Sequence, residues 1–105
     1  MKAELENISL VHNEAKKHFE LHVNNYSAYI EYSGFGNQIS ILHTIVPKEL
    51  EGQGVGSALV EKTLHYLQEA NKKILPFCPF VFAYIKRHPE WKAIVDEHFK
   101  GYDQL

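Results

Sequence analysis

Apolar and polar residues alternate from His18 to Val23, with Phe19, Leu21 and Val23 set against His18, Glu20 and His22, the two-residue period of a half-buried strand. A looser alternation from Leu5 to Leu10 predicts another strand ahead of it. Asn24-Asn25 signals a tight turn into Tyr26 to Tyr32, where Ala28, Ile30 and Tyr32 share a face. The cluster Ser33-Gly34-Phe35-Gly36-Asn37 breaks the chain and returns it into Ile39 to Val46. In that fourth strand Ile39, Ile41, His43 and Ile45 are expected on one face and Leu42 and Val46 on the other, so both faces should be covered, as in a central strand.

After Pro47 the period changes. Val55, Leu59, Thr63, Leu67 and Ala70 recur at helical spacing and predict one long helix to Asn71. Lys73 to Phe77 is a short fifth strand. Pro79 starts a second helix to about His88, and Pro89 a third through Trp91, Val95 and Phe99. The order ββββαβαα implies an α+β fold, a mostly antiparallel sheet with one crossover that makes strands four and five parallel.

The 105 residues fit one domain, residues 1–105, so any site must be built on one core. A net charge of −2 with basic runs no longer than pairs argues against nucleic acid as a partner. No stretch approaches the roughly 20 apolar residues of a membrane span, and the first residues carry no apolar core of signal-peptide length. With one cysteine, Cys78, these features predict a cytoplasmic protein. Seven histidines raise the question of a metal. His18 and His22, however, lie about 13 Å apart along an extended strand, and neither belongs to a ligand spacing, so no metal is expected.

Gly52-Gln53-Gly54-Val55-Gly56-Ser57 precedes the long helix, where the first backbone N–H groups lack intrahelical acceptors and the dipole leaves partial positive charge. Glycines there let the backbone approach a phosphate closely. A Walker loop would need Lys and then Ser or Thr after its last glycine, and a dinucleotide fingerprint would need glycine at Ser57, so neither applies.

The stretch Ile45-Val46-Pro47-Lys48-Glu49-Leu50-Glu51-Gly52-Gln53-Gly54-Val55-Gly56-Ser57 resembles the core signature of the GNAT superfamily of N-acetyltransferases. The resemblance implies acetyl-CoA as cosubstrate or ligand, its pyrophosphate on the amides from Gln53 to Ser57 and its pantetheine arm on the backbone of Ile45 and Val46. Glu51 stands where the family usually carries Arg or Gln, which brings a carboxylate near the phosphates. His43-Thr44, Pro76-Phe77-Cys78 and Tyr84-Ile85-Lys86-Arg87-His88-Pro89 are similar to a small, truncated GNAT-like subfamily. Full-length enzymes carry one or two helices between their first two strands and finish with two more strands. Here only His12 to Lys17 is expected in the first connection, too short for those acceptor-binding helices.

Three side chains are candidates for chemistry. Cys78, just before Pro79, is expected at a helix amino terminus, a position that favours a thiolate and suits a nucleophile or acyl carrier; the alternative is a buried structural thiol. Tyr84 resembles in placement the tyrosine that protonates the leaving CoA thiolate in many GNAT enzymes. His43 is a candidate general base, or else a satisfied core residue. Two functions follow: an acetyltransferase acting on an unknown amine acceptor, through Cys78 or directly, or a non-catalytic acetyl-CoA or CoA-binding module that works with a protein partner.

Overall fold

The computed structural model describes residues 2–105. Strands β1 (Val11–Asn13), β2 (His18–Val23), β3 (Tyr26–Phe35) and β4 (Gln38–Ile45) form an antiparallel meander, and β5 (Lys73–Pro76) adds parallel to β4, in the spatial order β1-β2-β3-β4-β5. The crossover between β4 and β5 is helix α2 (Val55–Glu69), and α3 (Pro79–Arg87) follows β5. The expected α+β architecture and its single parallel pair are thus present.

Several expectations need correction: the chain does not break at Ser33-Gly34-Phe35, which stay in β3 paired with Ser40, Ile39 and Gln38, and turns only at Gly36-Asn37. Leu5 to Leu10 is not a strand: Ala3–Glu6 makes one helical turn, α1, with Leu5 buried, and the first strand comes later, at Val11–Asn13. Leu5 and Ile8 stand three apart, the spacing of a helical face, and Lys62 of α2 ties the turn down by donating to the Glu6 carbonyl at 3.2 Å. The third helix is also shorter than expected, a 3-10 turn over Pro89–Ile94. It stops where Val95 bridges to Ile74, and Asp96 accepts from the His98 amide and the Gln38 side chain.

The β2–β3 turn is Asn24-Asn25 with φ of 50° and 67°, the left-handed pair of a two-residue hairpin. Asn71, also left-handed at φ 58°, ends α2, and the Lys72 amide behind it reaches back to the Leu67 carbonyl. Helix α2 packs Val55, Ala58, Leu59, Val60, Leu64 and Leu67 into the core against β2 and β3.

Within that apolar stripe the Thr63 hydroxyl is buried without a hydrogen-bond partner. An unmet buried hydroxyl is costly, and valine has the same branched shape without it, so Thr63→Val is expected to stabilise the fold by about 1 kcal/mol. A rise in urea midpoint at unchanged slope checks this.

One irregularity positions the site. The β3–β4 register runs Glu31↔His43 and then Tyr32↔Ile41, so Leu42 is an extra residue, a β-bulge. The bulge switches which positions of β4 are covered. Ile39 and Ile41 are buried, but beyond it His43 and Ile45 are exposed while Leu42 and Thr44 are half-buried. His43 and Ile45 therefore do not continue the face of Ile39 and Ile41, as unbroken alternation predicts.

Candidate functional site

Helix α2 begins at Gly54, whose φ of 78° is left-handed, as is that of Gly52 at 77°. Glycine is required at both because a side chain resists that region. No side chain caps the helix, no acidic residue stands in its first turn, and the first intrahelical bond runs from the Ala58 amide to the Gly54 carbonyl at 3.0 Å. The amides of Val55, Gly56 and Ser57 thus point out of the helix end toward whatever lies there. A Cβ on Gly52 or Gly54 would meet nothing within 4 Å, whereas one on Gly56 would come to 3.0 Å from the Phe80 ring and 3.5 Å from Val46. The glycine turn is therefore open outward and tight only where Phe80 leans on it.

Two cavities share Gly54 and Ser57. One, of about 280 Å³, is lined by Val46, Leu50, Glu51 and the turn itself, with Phe80 as its far wall. The other, of about 430 Å³, lies between α2 and α3 and is lined by Ala58, Glu61, Tyr84, Arg87 and His88. Glu51 does not cap the helix: its amide closes the preceding 3-10 turn onto Lys48, and its exposed side chain lines the smaller cavity. The Gln53 side chain turns away, donating to the Glu49 carbonyl at 3.1 Å.

Strands β4 and β5 part beyond the Ile41↔Pro76 pair. At the fork the Cys78 amide donates to the Ile41 carbonyl at 3.0 Å, and its Sγ lies 3.4 Å from the Thr44 hydroxyl. Cys78 is the N-cap of α3 with Pro79 following, as expected, but it is only 4% exposed. Tyr84, buried with its ring against His88, faces the larger cavity and not the fork. Burial raises its hydroxyl pKa, helped by Glu61 and Glu90 and opposed by Arg87, so it keeps its proton through neutral pH.

His43 is placed apart from these groups. Its side chain is 68% exposed, 3.9 Å from the Glu31 carboxylate across β3, on the outer face of the sheet. That face also carries Glu20, bonded by His22 and Asn13 with His18 beside it. Burial pushes the Glu20 carboxyl up, but those three partners outweigh it and leave its pKa below the ordinary 4.5. A folded pKa below the unfolded one stabilises above about pH 4.5 and is lost as pH falls through the lowered value. Glu20→Gln is therefore expected to flatten the decline of melting temperature below that pH. Among the described residues no group of three His, Cys, Asp or Glu is arranged to hold a metal ion.

A family model described as GCN5-related N-acetyl-transferase matches residues 18–94, from the start of β2 to the end of the Pro89–Ile94 turn. The chain belongs to the GCN5-related N-acetyltransferase family. It is similar to a GCN5-like putative N-acetyltransferase from Staphylococcus aureus, solved in solution by NMR, at 29% identity and a TM-score of 0.64. The match covers 90% of this chain and 96% of that one. The two open cavities and the fork thus lie within an acetyltransferase core. Thr44, Arg87 and His88, which stood in the sequence motifs without an assigned role, belong to this region, as does Phe80, which nothing in the sequence marked. For Arg87 and His88 a signal existed: they stand three and four residues after Tyr84, on its side of α3.

Proposed function

We propose that the protein binds acetyl-CoA at the glycine turn and transfers its acetyl group to an amine. The observation that carries this is the uncapped start of α2. Three outward amides and two left-handed glycines front a cavity of about 280 Å³, with no acidic residue in the first turn. Such an end suits a pyrophosphate held without a metal. In this reading the amides of Gln53 to Ser57 hold the phosphates, and Arg87 and His88 add donors in the adjoining cavity. The backbone of Ile45 and Val46 takes the pantetheine arm toward the fork, and Glu51 stays in solvent at the rim.

At the fork Cys78 Sγ attacks the thioester carbonyl. The C–S bond to CoA breaks, the CoA thiolate takes up a proton, and an S-acetylated Cys78 passes its acetyl group to the acceptor nitrogen, regenerating the thiol. The amine proton passes to the Cys78 sulfur or to solvent, because His43 stands on the outer face of the sheet, opposite to the face on which Cys78 meets Thr44, and takes no part in this reading. Mass spectrometry of protein incubated with acetyl-CoA tests this, with CoA release and a single acetyl adduct on Cys78 expected. An intact complex with neither would favour the second reading, a module that binds acetyl-CoA without turnover. That reading has its own support, since no helix lies in the connection between β1 and β2 to enclose an acceptor.

A further inference from the structure

We propose that Ser27, His22 and Glu20 form a second catalytic centre, a serine esterase site open to solvent, on the outer face of the sheet. The two-residue turn at Asn24-Asn25 makes Val23 and Tyr26 a hydrogen-bonded pair, so the next pair, His22↔Ser27, is the non-hydrogen-bonded kind whose side chains stand closest. There the Ser27 Oγ lies 3.0 Å from His22 Nδ1, and His22 Nε2 lies 3.0 Å from Glu20 Oε1.

The directions are fixed by chemistry. A carboxylate only accepts, so Nε2 carries the ring proton, and Nδ1 of the neutral ring accepts from the serine hydroxyl. Glu20 is itself held at its other oxygen by Asn13 Nδ2 at 3.1 Å, with His18 Nδ1 3.4 Å away. Nucleophile, base and orienting carboxylate are thus in sequence, from an exposed serine through a half-exposed histidine to a sheltered glutamate.

One further feature fits the assignment. In a non-hydrogen-bonded pair the Ser27 amide points away from β2, and the β3–β4 ladder begins only at Tyr29, so this amide is free to donate to an oxyanion beside its own side chain.

The reaction balances without any cofactor. Ser27 Oγ attacks the ester carbonyl, its proton passes to His22 Nδ1 and on to the leaving alcohol, and water activated by the same histidine hydrolyses the acyl-serine to free acid. Neither Cys78 nor Tyr84 takes part.

The test uses the full chain without acetyl-CoA, treated with a fluorophosphonate probe and, separately, with p-nitrophenyl butyrate. The probe adduct is expected on Ser27 by peptide mass spectrometry and is expected to be absent in His22→Gln. Ester hydrolysis should fall at least about tenfold in Ser27→Ala, His22→Gln and Glu20→Gln, while His98→Gln keeps the full rate and excludes unspecific imidazole catalysis. Ser27 is exposed and holds no buried group, so Ser27→Ala should melt as the unmodified protein does, and the His22→Gln rate is read at a temperature where its own melt shows it folded. Failure of the probe to label Ser27, or hydrolysis undiminished in Ser27→Ala, overturns the proposal and leaves the three side chains a polar cross-strand network.

Discussion

Acetyl-CoA at a hundred times its dissociation constant is expected to raise the melting temperature by about 10 °C, the effect of about 2.7 kcal/mol on a domain of this size. A ligand that binds the folded chain and not the unfolded one adds its binding energy to stability. Gly54→Asp should abolish the shift by placing a carboxylate where the phosphate approaches. Gly54 has φ 78°, however, so any side chain strains the turn. Gly54→Asn is the matched control: asparagine tolerates this region better than most residues and adds no charge. Each variant is compared with its own ligand-free melt, and Asn should retain a larger part of the shift than Asp. Cys78→Ala should retain nearly all of it, because the thiol sits at the fork. An unchanged melt of the unmodified protein at saturating acetyl-CoA and CoA would refute binding at this turn while leaving the family assignment intact.

The elements that could be read from the sequence are those whose burial follows one simple period. Helix α2 was legible because its stripe faces the sheet over its whole length, and β2 and β3 because each has one covered face. The first strand was not, because Leu5 and Ile8 satisfy a loose alternation as well as a helical turn, and packing on α2 decides between them. The bulge at Leu42 was invisible for a different reason: an extra residue changes the phase of a strand without changing its composition, and that phase sets where His43 points. The glycine motif marked the turn that opens α2, since left-handed backbone leaves a mark in residue type. The link between Ser27, His22 and Glu20 left none, because cross-strand neighbours depend on register, which the two asparagines of the turn fix only once the hairpin is built.

Replacing Cys78 is expected to reduce acetyl transfer to background while acetyl-CoA binding persists, which separates the thiol's chemistry from the glycine turn's affinity. The prediction rests on position: Sγ lies 3.4 Å from the Thr44 hydroxyl at the point where β4 and β5 part, one residue from the strand backbone assigned to the pantetheine arm. Tyr84 faces the other cavity, holds its proton through neutral pH, and reaches the departing thiolate only if the CoA chain passes along α3. Tyr84→Phe is therefore expected to cost less than the roughly 10²-fold that loss of a general acid brings. Initial rates of CoA release, with an amine acceptor and without, distinguish the routes. The covalent route predicts a burst of about one CoA per chain in the absence of acceptor, which vanishes in Cys78→Ala and survives in Tyr84→Phe. Turnover that survives Cys78→Ala and falls about 10²-fold in Tyr84→Phe would instead assign direct transfer, with Tyr84 as the acid and Cys78 as a packing residue of the fork.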